Sequence, residues 1–129
     1  MNKITYSKEI LDRMQEFVNA CCECKLCMKE CEMLNDFCKC PKSLFKNLLE
    51  TGEIDAIIPY SCNMCSQCTL VCPKKLEIKD RFMDIRKEMI KVNNGKSPMK
   101  GHRAIEIHQI LAFSKIFSTA KPAIKKRSG

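Results

Sequence analysis

Tryptophan is absent from this 129-residue chain, and aromatic residues make up only 6% of it. Stacked aromatic platforms of the kind that carry bases are therefore scarce, which argues against nucleic-acid recognition. Glycine is rare too, with four residues and no glycine-rich phosphate loop. No nucleophile–base pair can be named, so independent substrate chemistry is not expected. No run of eighteen apolar residues occurs. The greasiest stretch, 104–120, is interrupted by Glu106, His108, Gln109 and Lys115, and does not read as a membrane span. Met1 to Glu9 holds no apolar signal region, which points to a reducing, cytoplasmic location.

Acidic residues are nearly missing from the last third. Residues 91–129 carry nine Lys and Arg against Glu106 alone, whereas residues 1–90 balance fourteen against fourteen. The whole net charge of +8 therefore sits in the tail, and a uniformly basic fold is excluded.

Cysteine is what the chain has in quantity. Eleven occur, all in the neutral part. An odd number in a chain without a secretory signal points to metal binding instead of a disulfide framework. Eight of them form one pattern twice: Cys21-x2-Cys24-x2-Cys27-x3-Cys31 and Cys62-x2-Cys65-x2-Cys68-x3-Cys72-Pro73. This is the spacing of [4Fe–4S] ligation, and the second copy includes the trailing proline. Three thiolates two residues apart wrap a short turn around one face of a cubane, with backbone N–H groups pointing at the sulfurs. The fourth is pushed past that turn. A structural zinc site instead wants two separated pairs on a tetrahedron, which four cysteines within eleven residues suit poorly.

In two-cluster ferredoxins the fourth cysteine of each run serves the other cluster. By that rule Cys21, Cys24, Cys27 and Cys72 bind one cluster, and Cys62, Cys65, Cys68 and Cys31 the second. Each oxidised cluster with four thiolates carries roughly −2, so the loaded head is expected to be acidic, about −4, and the holoprotein about +4. Lys25, Lys29, Lys74 and Lys75 beside the runs are either solvated charges or groups that tune potential and greet an acidic partner. Cys22 breaks the spacing and reads as a bystander. Cys38-x-Cys40-Pro41 is placed in a loop, either as small filler or as a redox-active or substitute ligand pair. His102 and His108 read as surface or helix-face residues.

Helical periodicity surrounds the runs. Ser7 opens a stripe of Ile10, Leu11, Met14, Phe17 and Val18 that ends at Cys21. Ser43 is expected to cap a helix over Leu44–Glu50 that Gly52 terminates. Ile78, Phe82, Ile85, Met89 and Val92 form a third helix stopped by Asn94-Gly95. No segment shows sustained strand alternation, so an all-α wrapping of two clusters is expected over residues 1–92, followed by a basic, partly amphipathic extension over 93–129.

The two runs flank the segment PKSLFKNLLETGEIDAIIPYSC. Over roughly residues 15–92 this resembles the α-helical ferredoxin domain found in the C-type iron–sulfur subunits of heterodisulfide reductase and of anaerobic glycerol-3-phosphate dehydrogenase. The resemblance implies crossed ligation and an electron relay inside an oxidoreductase complex. It also implies redox partners: a flavoprotein, a reductase subunit with Cys-Cys-Gly motifs, or both. Peripheral membrane association through a partner is compatible with it. Two positions depart from the family pattern. Glu32 stands where proline usually follows the fourth cysteine, and Lys25-Leu26 replace more usual small or glycine residues. The tail from Gly95-Lys96-Ser97-Pro98 through HQILAFSKIFS looks like the segment that leads into a downstream domain in longer fused reductases. Ile105, Ile107, Leu111, Phe113, Ile116 and Phe117 would dock there or on a partner. The alternative function is a zinc- or cluster-stabilised, non-redox interaction module whose tail, with Lys121, Lys125, Lys126 and Arg127, binds an anionic partner.

Overall fold

Ser7, with extended backbone, turns the chain into α1 (Lys8–Ala20), whose buried face is Ile10, Met14, Phe17 and Val18. The helix ends at Cys21, so the first cysteine run starts directly off its last turn. In the computed structural model, which describes residues 4–119, seven more helices follow. They are α2 (Leu26–Lys29), α3 (Glu32–Phe37), α4 (Pro41–Thr51), α5 (Ile57–Ser61), α6 (Gln67–Val71), α7 (Ile78–Val92) and α8 (Lys100–Ala112). The protein is all-α, with no strand among the described residues.

One helix start differs from expectation. Helix α4 begins at Pro41, not after Ser43. Proline suits the first helical position, because its fixed φ is already helical and its missing N–H would have had no partner there. Cys40 takes the capping position, and the Ser43 hydroxyl donates back to the Cys40 carbonyl at 2.7 Å instead of capping anything. The far end is as expected. Gly52 adopts φ +71, the left-handed conformation that closes a helix cheaply only without a Cβ. Helix α7 spans Ile78–Val92 and is closed by Asn93, with Gly95 N–H reaching back to the Ile90 carbonyl at 2.8 Å.

The chain divides into two compact units, residues 1–98 and 99–129. In the first, α1 packs on α4 and α7, α5 lies on α7, and α3 contacts α5. The short helices α2 and α6, one from each cysteine run, pack against each other. The centre is a row of three phenylalanines. Phe17 meets Phe45 edge-on at 5.0 Å between ring centroids, and Phe45 lies 5.5 Å from Phe82. Phe45 and Phe82 are fully buried and join α4 to α7. Asp84 is buried on α7 but paired with Arg13 of α1 and Arg81, each at 3.4 Å. A buried carboxylate needs such partners.

The second unit is described by itself. Helix α8 buries none of its residues, and Ile105, Ile107, Ile110, Leu111, Phe113, Ile116 and Phe117 are all exposed. His108 is exposed on that helix and His102 half-buried. Lys121, Lys125, Lys126 and Arg127 lie outside the described residues. Among the described residues no helix is long and apolar enough to cross a membrane.

Candidate functional site

Both cysteine runs take the same backbone path. Cys21 has φ −68 and ψ 122, and Cys62 has φ −71 and ψ 124. Two residues later, Glu23 and Met64 both adopt φ +59; four residues later, Lys25 and Ser66 adopt φ +59 and +64. These left-handed residues are not glycines, and each such conformation costs about 1–2 kcal/mol. The chain spends that strain four times, at matching places in two distant segments. At Lys25–Leu26 and Ser66–Gln67 a left-handed residue is followed by a right-handed helical one, a pairing that turns successive N–H groups toward one concave side and receives anions. The Met64 N–H donates to the Cys62 sulfur at 3.5 Å, and the Glu23 N–H bonds to the Cys21 sulfur. Lys25 and Ser66 then serve as the left-handed entry residues of α2 and α6.

Each run is also held from outside by a cation on another helix. Arg86 of α7 donates from Nε to the Pro59 carbonyl at 2.7 Å and from its terminal nitrogen to the Cys62 carbonyl at 2.6 Å. Its guanidinium lies 5.2 Å from the centroid of the Tyr60 ring. Lys42 of α4 donates to the Cys21 carbonyl at 3.3 Å and pairs with Glu23 at 3.1 Å. The first cysteine of either run is thus tied to a core helix through its backbone oxygen.

Two pockets result. The first is lined by Cys21, Cys24, Cys27 and Cys72, together with Cys22 and Cys40, and walled by Phe17, Leu76 and Ile78. The second is lined by Cys31, Cys62, Cys65 and Cys68, with Leu34, Ile78 and Phe82 behind them. Each pocket therefore gathers three cysteines of one run and the last cysteine of the other. Ile78, 3% exposed, is common to both walls. Cys27 of α2 lines the first pocket and Cys68 of α6 the second, and the Cys68 charge helps to push the Cys27 thiol up. These two thiol sets are the residues that could hold an iron–sulfur group. Among the described residues, no three Cys, His, Asp or Glu side chains converge on a point that one ion could occupy.

Burial dominates the chemistry of the thiols. It pushes Cys27 up to about 12, helped by the negative charge of Cys68, Cys21, Cys24 and Cys40. Burial also raises Cys21 and Cys68, in each case against a lowering backbone hydrogen bond. Without a bound cation these groups stay protonated at neutral pH, so binding metal through them releases protons.

The remaining cysteines part company. Cys38 donates its thiol hydrogen to the Leu34 carbonyl at 3.2 Å, and burial followed by the Cys40 charge raises it to about 11. Cys22 is exposed at the rim of the first pocket. Cys40 is buried, 7% exposed, and lines the first pocket. The sequence left the Cys38-x-Cys40 pair open between filler and substitute ligand, and the structure places Cys40 on this pocket but not Cys38. The available signal was the apolar row Pro41, Phe45 and Leu48, which puts the start of α4 on its buried side. Lys25, Lys29, Lys74 and Lys75 are all exposed, and Lys75 donates to the Leu70 carbonyl at 2.8 Å.

No protein-family model, no curated protein and no solved structure matches this chain.

Proposed function

We propose that the protein is a one-electron relay holding two [4Fe–4S] clusters, each bound by thiolates from both cysteine runs. The observation that carries this reading is the pairing of the pockets: Cys72 stands with Cys21, Cys24 and Cys27, and Cys31 with Cys62, Cys65 and Cys68. The donor set suits the group. A cubane offers four separate irons, so its four ligand sulfurs stand apart around a cage and need not converge on one point. Each pocket supplies at least four thiols, apolar walls and a backbone N–H group aimed at a sulfur. Hydrogen bonds to sulfur and exclusion of water are the means by which a protein sets a cluster's potential.

The clusters would supply reversible one-electron chemistry when bound. The chain's own residues would space the two sites and keep water from their inner faces. Ile78 supports rapid exchange between them, because one side chain is all that both walls share. The exposed Cys24 and Cys65 mark where each site opens outward toward donor and acceptor proteins. By its resemblance to reductase subunits, the chain would work in the cytoplasm between a flavoprotein and a disulfide-reducing or substrate-linked partner. Its oxidoreductase role then belongs to the complex.

Anaerobic reconstitution, iron and sulfide analysis and low-temperature EPR test the proposal. About eight iron per chain, with spin-coupled signals from two neighbouring reduced clusters, is expected. One or two zinc atoms with no reducible chromophore would defeat it in favour of a non-redox module.

A further inference from the structure

The first pocket holds more thiols than one cubane needs. Cys21, Cys24, Cys27 and Cys72 fill four positions, yet Cys40 lines the same pocket from the capping position of α4. Three facts separate it from the other spare cysteines. It is more than nine-tenths buried, whereas Cys22 is exposed. Cys38 has a carbonyl to donate to and lies outside the pocket. The Cys40 thiol is also close enough to Cys21 and Cys27 for its charge to act on both. Its backbone is fixed as well, between the Ser43 hydroxyl on its carbonyl and the Leu44 N–H at 3.1 Å on the same oxygen. A buried thiol held at that place is presented to whatever the other four bind.

We infer that in the first pocket Cys40 and Cys72 can each serve as fourth ligand to the same cluster. This rests on the two-cluster reading above and extends it. The exchange balances: Cys40 gives up its thiol proton as its sulfur binds iron, and Cys72 takes one up as its sulfur leaves. Ligand count, cluster charge and oxidation state are unchanged. The second pocket has no counterpart, since its only lining cysteines are Cys31, Cys62, Cys65 and Cys68. The first cluster should therefore tolerate loss of its distant ligand, and the second should not.

The test uses the full-length chain, reconstituted anaerobically. Wild-type protein is expected to hold about eight iron. Cys72→Ala should hold nearly as much, with a shifted EPR signal from the first cluster, while Cys72→Ala combined with Cys40→Ala should fall to about four. Cys31→Ala should fall to about four by itself. Cys72→Ala dropping as far alone as the double variant would overturn the inference. Should Cys72→Ala not fold by circular dichroism, Cys40→Ala decides, because it retains every thiol of the crossed set. A chelator should strip its first-site iron several-fold faster than from wild type, and an unchanged rate would count Cys40 as packing only. Wild-type protein that never reached about eight iron would defeat the relay itself, a result distinguishable from either of these.

Discussion

Arg86 and Lys42 perform the same task on different terms. Arg86 makes two short hydrogen bonds from a half-buried position, and hydrogen bonds to a charged group are worth about 1.5–3 kcal/mol. Arg86→Met keeps the aliphatic stem and should cost about 2 kcal/mol of stability in denaturant unfolding. Lys42 makes one longer contact, and its ion pair with Glu23 is 30% and 58% exposed, so Lys42→Met should cost less than about 1 kcal/mol. Strain gives the opposite sign. Lys25→Gly and Ser66→Gly relieve a left-handed side-chain clash, offset by glycine's extra chain entropy, and each should raise stability by up to about 1 kcal/mol. Tyr6 is a third kind of residue. Its hydroxyl is buried without a hydrogen-bond partner among the described residues, and burial, then Glu88, raises it to about 12. An unfolded tyrosine ionises near pH 10, so the stability due to Tyr6 is complete below that pH and lost as pH rises toward 12. Tyr6→Phe should be neutral or stabilising at pH 7 and should lessen the alkaline loss in thermal melts.

At the scale of elements, α1 and α7 could be read from the sequence because each buries one stripe over three or more turns. The ends of α4 divide the case: Gly52 announced the stop, while Ser43 suggested a start that proline overrode. Helices α2, α3, α5 and α6 were not legible. Four to six residues span too little of a 3.6-residue period to show a face, and α2 and α6 are held by the cysteine turns and by each other. Eight candidate ligands followed from spacing, while Cys40 stayed open between filler and substitute ligand, since its place depends on how α4 docks against α1. That docking is concentrated in Phe45. It is fully buried between Phe17 and Phe82, and Phe45→Ala should cost about 3–5 kcal/mol, measured by denaturant unfolding of the apoprotein. A much smaller loss would mean that the cysteine turns, and not the aromatic row, hold α1 and α4 together. Helix α8 is the contrary case. Its sequence is apolar enough to suggest a docking stripe, yet none of its residues is buried.

For the molecule as a whole, crossed ligation would make metal a tie between segments that the chain separates by thirty residues. Removing iron should therefore lower the melting temperature of the entire cysteine-bearing unit, not of one half, when followed by far-UV circular dichroism. The +8 of the naked chain would change meaning as well. A loaded cysteine-bearing segment of about −4 would be followed in sequence by a segment that carries all the excess cations. The position of Cys40 bears on a different matter, the order in which a growing chain becomes competent. Cys21, Cys24, Cys27 and Cys40 all lie within the first forty residues, whereas Cys72 follows Cys40 by thirty-two. On the five-ligand inference, every first-site ligand but Cys72 would be synthesised before the second run exists. A nascent first site would have no need to wait for its distant ligand, and the later arrival of Cys72 would convert a local loop into a link across the whole unit.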